Sequence, residues 1–178
     1  MLHRRGGGNW NSDAVSRSLL PAWVPYASAQ AAEEHLLFSL RLMTDDWIFE
    51  RPSDYVFQLG ELINIEASVV QLNHVLLCVF VDICVATVVP DINGVPKYAF
   101  IENYGCLVDS KIIASISRFM PQTGTAKQGF QMEAFRFQQG NGSLVIYIMC
   151  VLMATAASSP PDAEQKACSF SGNSWHHK

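Results

Sequence analysis

Four of the five cysteines constrain the fold more than any other feature, because each lies in a separate strand-like segment. The segments are Cys84-Val-Ala-Thr-Val-Val-Pro-Asp91, Gly105-Cys106-Leu-Val-Asp109, Tyr147-Ile-Met-Cys150 and Lys166-Ala-Cys-Ser-Phe170. Cysteines dispersed in this way suit two buried crossbridges better than a metal site or a thiol active centre. Structural zinc sites bring ligands in close pairs, whereas Cys78 and Cys84 are separated by five residues and share one apolar run. Two bridges use four of the five thiols and leave one over.

Period-two alternation supplies the elements that carry those cysteines. From Leu36 to Met43, Leu36, Phe38, Leu40 and Leu42 alternate with Leu37, Ser39, Arg41 and Met43, as in a strand buried on one face and partly covered on the other. The cleanest alternation is Leu62 to Gln71, with Ile63, Ile65, Ala67 and Val69 on one side and Asn64, Glu66 and Ser68 on the other. Further strands are expected at Tyr55–Gln58, within the apolar run Val75–Val89, at Lys97–Glu102 and at Cys106–Asp109. Phe130 to Gln138 alternates and then changes parity at Phe135, which predicts a bulge. Gln139-Gly-Asn-Gly142 predicts a hairpin turn into Leu144–Met153.

About eight short strands separated by turn signals predict an all-β, immunoglobulin-like antiparallel sandwich with two disulfides. Residues 1–34 read as a linker, with a short helix-compatible stretch at Ala27–Glu34; residues 35–175 form the expected domain, and 176–178 a tail. A brief helical turn is expected at Asp162–Lys166.

The 178 residues leave room for one domain with a core. Hydrophobic residues at 49% against 16% charged exclude disorder of the whole chain. A net charge of -4 without a like-charged block offers nucleic acid no footprint. Leu144–Ala157 is apolar but shorter than the roughly 20 residues of a membrane-spanning helix, so it is read as a core strand. No membrane segment, cofactor or metal is expected, and His176-His177 reads as a solvated end.

No residue pattern points to catalysis. His74, Asp82 and Cys84 could suggest an activated thiol, but nothing marks a nucleophile turn. Asn141-Gly-Ser143 is the N-x-Ser/Thr sequon, and its predicted turn would expose a glycan at Asn141. Thr123 and Thr125 are candidates for O-linked sugar. Met1-Leu-His-Arg-Arg-Gly-Gly-Gly-Asn-Trp10 has no apolar stretch of the kind a secretory leader carries.

An ordered series of motifs adds a family resemblance. Pro21-Ala-Trp-Val-Pro25, Leu37-Phe-Ser-Leu-Arg-Leu-Met43 with Asp46-Trp47, Phe80-Val-Asp82, Cys84-Val-Ala-Thr87, Gly105-Cys-Leu-Val-Asp109 and Ala167-Cys-Ser-Phe170 together resemble the C-terminal half of a zona pellucida module. The resemblance runs from about Pro21 to Trp175. It implies a secreted structural glycoprotein of the egg envelope, with other egg-coat glycoproteins and sperm surface ligands as partners. A runner-up is a secreted or cell-surface binding module of the wider family that does not polymerise; an intracellular thiol enzyme is a third reading.

The resemblance pairs Cys84 with Cys150 and Cys106 with Cys168, each closing a loop of more than sixty residues. It also implies that Leu37, Phe38, Leu40, Leu42 and Met43 form an internal hydrophobic patch, which an external patch holds inactive until proteolysis. Cys78 stands where the family has a non-cysteine residue and is expected to be unpaired. The first half of the module, the leader and the anchor have no counterpart, which implies a partial chain.

Overall fold

Strands form here because apolar side chains recur at every second position, so one face of each ribbon can be buried while the backbone pairs sideways. The structure, a computed structural model, describes residues 6–13, 22–23, 36–52, 55–71, 76–112, 114–138, 145–160, 166–171 and 174–177. Its strands in chain order are β1 (Gly6–Asp13), β2 (Ala22–Trp23), β3 (Leu36–Met43), β4 (Leu62–Gln71), β5 (Leu77–Thr87), β6 (Lys97–Glu102), β7 (Cys106–Leu107), β8 (Arg118–Phe119), β9 (Lys127–Glu133), β10 (Val145–Ala156), β11 (Cys168–Ser171) and β12 (Ser174–His177). One 3-10 turn, Val108–Lys111, follows β7. No helix among the described residues is long and apolar enough to cross a membrane.

The strands form two sheets, ordered β12-β11-β7-β6-β5-β10-β1-β2 and β3-β4-β9-β8. Between them lies one core to which β3 contributes Phe38, Leu40 and Leu42, β4 contributes Ile63, Ile65, Ala67 and Val69, and β10 contributes Ile146, Ile148, Cys150, Leu152 and Ala154. This is the expected all-β sandwich with two disulfides.

A bulge in β5 aligns the first cysteine. Val151 opposes Ile83 and Leu152 opposes Val81, so Asp82 has no opposite residue on β10. Core-facing positions accordingly switch from Leu77, Val79 and Val81 to Cys84 and Ala86. One inserted residue re-aims everything after it, and it turns Cys84 inward.

Several expectations need correction. Phe130–Gln138 does not bulge: β9 ends at Glu133, and Phe135 and Phe137 pack against the core from the segment that follows. Cys106–Asp109 is strand only to Leu107, where the Ser110 hydroxyl donates to the Leu107 carbonyl and the chain tightens into the 3-10 turn. Such local side-chain bonds compete with ladder pairing. Tyr55–Gln58 is not a strand, although Phe57 is fully buried; Tyr55 N–H bonds back to the Pro52 carbonyl and a turn begins at Leu59.

Strand pairing also extends into two segments read as irregular. Gly6–Asp13, within the expected linker, pairs antiparallel with β10, and His176 and His177 belong to β12 rather than to a free tail. Backbone pairing needs no apolar alternation, so neither segment carries a period-two signal. Ala27–Glu34, the Gln139–Gly142 turn with Asn141, and all but the last residue of Asp162–Lys166 lie outside the described residues.

The second face of β4 is covered as well. Asn64, Glu66 and Ser68 are buried, and each has a partner: Asn64 donates to the Thr44 carbonyl and accepts from Gln131, Glu66 pairs with Lys127 at 3.0 Å, and Ser68 bonds Ser39 at 2.7 Å. Trp47 lies against Gly129, which is the residue opposite Glu66 on β9. A Cβ there would meet the indole at 2.7 Å, so any larger residue would displace the ring.

Candidate functional site

The four strand cysteines meet in two bonded pairs. Cys84 and Cys150 are directly opposite on the antiparallel β5–β10 pair, with Cα atoms 4.1 Å apart. Cys106 and Cys168 are opposite on the parallel β7–β11 pair, at 4.5 Å. All four are buried, and the bridges span 66 and 62 residues of sequence. One bridge crosslinks the centre of the large sheet. The other ties the chain's last part to the short strand after the Asn103-Tyr104-Gly105 turn.

Cys78 is a free, half-buried thiol on β5, opposite Thr155 of β10. It precedes the bulge and belongs to the alternate set from the core-facing Leu77, Val79 and Val81, whereas Cys84 follows the bulge and faces inward. Cys78→Ser is therefore expected to leave both bridges in place, shift the unfolding free energy by no more than about 0.5 kcal/mol and abolish disulfide-linked dimers. Non-reducing electrophoresis with peptide mapping checks this. A variant that scrambles its bridges would assign Cys78 a structural role.

The β3 segment is an edge. It pairs with β4 on one side, in register from Leu36 opposite Gln71 to Met43 opposite Asn64, and among the described residues no further strand of its sheet lies beyond it. Only at its end do Glu50, bridging Met43, and Arg51 N–H, donating to the Leu42 carbonyl at 2.8 Å, occupy the outer edge. Of the five patch residues, Phe38, Leu40 and Leu42 enter the core, Met43 is buried on the other face, and Leu37 is 40% exposed. Leu37 stands opposite Val70, itself 52% exposed. An edge strand with apolar side chains and free backbone groups can accept another strand.

A buried carboxylate that sequence reading missed organises the region beyond β7. Asp109 accepts hydrogen bonds from the hydroxyls of Tyr98, Ser115 (3.1 Å) and Ser117. Its signal in the sequence was only a short polar spacing, Asp109 with Ser115 and Ser117. Burial, and then the bond to Asp109, push the Tyr98 phenol well above its ordinary value. A raised folded value means that its stabilisation is complete below the unfolded phenol pKa of about 10 and is lost as pH rises beyond that toward the folded value.

Tyr98→Phe should therefore cost about 1–3 kcal/mol at pH 8, because one donor to a buried anion is removed. The gap between wild type and variant should narrow above about pH 10, as measured by urea unfolding at the two pH values. A gap that stays constant would contradict a stabilising role for the Tyr98–Asp109 hydrogen bond.

No group of three or more His, Cys, Asp or Glu among the described residues could hold a metal ion. Cys84, bonded to Cys150, is not a free nucleophile, and His74 lies outside the described residues.

A two-sheet, antiparallel-rich sandwich with two long-range internal disulfides defines the class: a disulfide-braced immunoglobulin-like module. The Zona pellucida family model, ZP-C domain, matches residues 32–169, and the chain belongs to that family. It is similar to zona pellucida sperm-binding protein 3 of Gallus gallus, with 47% identity over 163 residues covering 90% of this chain and 37% of the relative. The same protein of Felis catus is 41% identical, covering 93% of this chain and 39% of the relative, and that of Homo sapiens is 40% identical, covering 90% and 38%. The chain thus spans less than two-fifths of the length of these relatives.

Proposed function

We propose that this chain is the C-terminal immunoglobulin-like part of a secreted structural glycoprotein of the egg envelope, contributing to matrix assembly and to sperm binding at fertilisation, and that it has no enzymatic activity. The observation that carries the reading is the match of the ZP-C model together with relatives named as sperm-binding zona pellucida proteins. The domain is centred on residues 35–175, with Gly6–Asp13 and His176–His177 paired onto its large sheet, and is braced by Cys84–Cys150 and Cys106–Cys168 as its working disulfides, with a glycan at Asn141. Leu37, Phe38, Leu40, Leu42 and Met43 act as a strand whose pairing governs release into the matrix. The partners are other egg-coat glycoproteins and sperm surface ligands.

Polymerisation in this reading belongs to the other half of the module, so the chain enters filaments through a complete partner. The test supplies a leader, expresses the chain with and without complete egg-coat glycoproteins, and examines both by electron microscopy. Incorporation only in the presence of complete partners is the expected result. Filaments built from this chain alone would refute the assignment. Sperm adhesion to beads bearing the oxidised chain, compared with the reduced and alkylated chain, tests the second role.

A further inference from the structure

The loop joining β3 to β4 holds an apolar pair out in water on a braced turn. Ile48 is 66% and Phe49 67% exposed. Their backbone is tied down: Thr44 N–H donates to the Phe49 carbonyl at 2.8 Å, Phe49 N–H to the Thr44 hydroxyl at 3.1 Å, and Ile48 N–H to the Asp46 carboxylate at 3.0 Å. Trp47 adopts φ 61 and anchors the loop against Gly129. A preformed apolar knob loses little freedom on docking. Asp46 and Glu50 flank it, both exposed, while the exposed Asp45 is already paired with Arg51 at 2.7 Å. The Thr44 hydroxyl bond, then the Ile48 N–H, lower the Asp46 pKa, so it carries its charge.

A cavity with the opposite character lies on other elements. It occupies about 690 Å³ between β6, the end of the 3-10 turn and the segment after β9, a size in the range of binding pockets. Its apolar wall is the Tyr98, Phe135 and Phe137 stack, with ring centroids 5.2 and 5.4 Å apart. Asp109, although part of the lining, is already occupied by three hydroxyls. At the rim, Lys97 and Arg136 are exposed and have no ion-pair partner among the described residues, against one acid, Glu133.

We propose that the Ile48–Phe49 knob of one copy of this chain seats in the Tyr98–Phe135–Phe137 cavity of a second copy, with the knob's acidic flanks facing Lys97 and Arg136. The apolar pair fills an aromatic cleft, and the charges are complementary in the same orientation. Because knob and cavity are different surfaces, the contact is head-to-tail and leaves each pair with one free knob and one free cavity. Two side chains in one cleft bury far less than the roughly 1,200–2,000 Å² of a stable interface. The contact is weak in solution and becomes effective only where many copies are held together, as in a matrix. It does not depend on the egg-coat reading, and its test is independent of incorporation into filaments.

Sedimentation velocity of the full oxidised chain in a Cys78→Ser background, over a concentration series, tests it. Two variants are compared, a knob variant (Ile48→Ser with Phe49→Ser) and a cavity variant (Lys97→Glu with Arg136→Glu), all four substitutions being at exposed positions; disulfide mapping and circular dichroism verify folding. The wild type should associate with rising concentration, while each variant alone should bind itself at least tenfold more weakly. An equimolar mixture should recover association and stop at a one-to-one complex, since only one knob and one cavity remain. A wild type that stays monomeric, a knob variant that associates like the wild type, or a mixture no different from its components would each overturn the proposal.

Discussion

Replacing Cys84 and Cys150 together with alanine is expected to remove about 4 kcal/mol of stability, because a bridge spanning 66 residues restricts the unfolded chain by that amount in the loop-entropy account. A domain at the lower end of the usual range of about 5–15 kcal/mol would keep little margin. Both residues are changed so that no orphan thiol remains in the core. Urea unfolding of the variant, followed by tryptophan fluorescence, gives the number directly. A loss below about 1 kcal/mol would mean that packing of β5 on β10, rather than the crosslink, restrains these strands.

The same bridge governs how the domain responds to reductant. Cys84 and Cys150 are 0% and 1% exposed at the centre of the large sheet. Thiolate attack on them requires the sheet to open, so access limits their reduction. Cys106 is 8% exposed and belongs to the two-residue strand β7, near one end of the same sheet. Local opening there involves fewer paired residues, so the Cys106–Cys168 bridge should be the first reduced. A sandwich braced in this way should resist heat and denaturant more than it resists a sustained reductant.

What the sequence made legible follows from where period two is a sufficient description. β3 and β4 were readable residue by residue, since one face alternates without interruption from Leu36 to Leu42 and from Ile63 to Val69. The β5 bulge was not readable, because Leu77–Thr87 is apolar on both faces and a parity change at Asp82 leaves no trace in such a run. Nor was the cover over Asn64, Glu66 and Ser68 visible. It depends on partners far apart in the chain, Thr44 and Gln131 for Asn64, Lys127 for Glu66 and Ser39 for Ser68, with Trp47 reaching back to Gly129 beside them. The cysteine positions were plain while their partners came from resemblance, since four thiols allow three connectivities. Asp109 went unnoticed because its donors, Tyr98 and two serines, are unremarkable one at a time.

Gly105→Ala is expected to cost about 2–5 kcal/mol, from left-handed strain of roughly 1–2 kcal/mol plus a backbone overlap of about 1–3 kcal/mol. Gly105 has φ 96, and a Cβ there would stand 2.1 Å from the Lys166 carbonyl oxygen and 2.9 Å from that of Val81. Neither neighbour is a side chain that can swing away. The glycine is also clamped: its N–H donates to the carbonyl of the bulged Asp82 at 3.0 Å, and its own carbonyl accepts from Cys168 N–H at 2.9 Å. To relieve the clash the backbone must part from β11, which separates Cys106 from Cys168. Gly60→Ala is the control, since Gly60 has φ 81 but nothing within 4 Å of a new Cβ, and strain alone should cost it roughly 1–2 kcal/mol. Equal destabilisation of the two variants in urea unfolding would show that the close approach of Lys166 has no energetic consequence. A larger loss at Gly105, accompanied by incomplete Cys106–Cys168 formation in peptide maps, is the result the clamp requires.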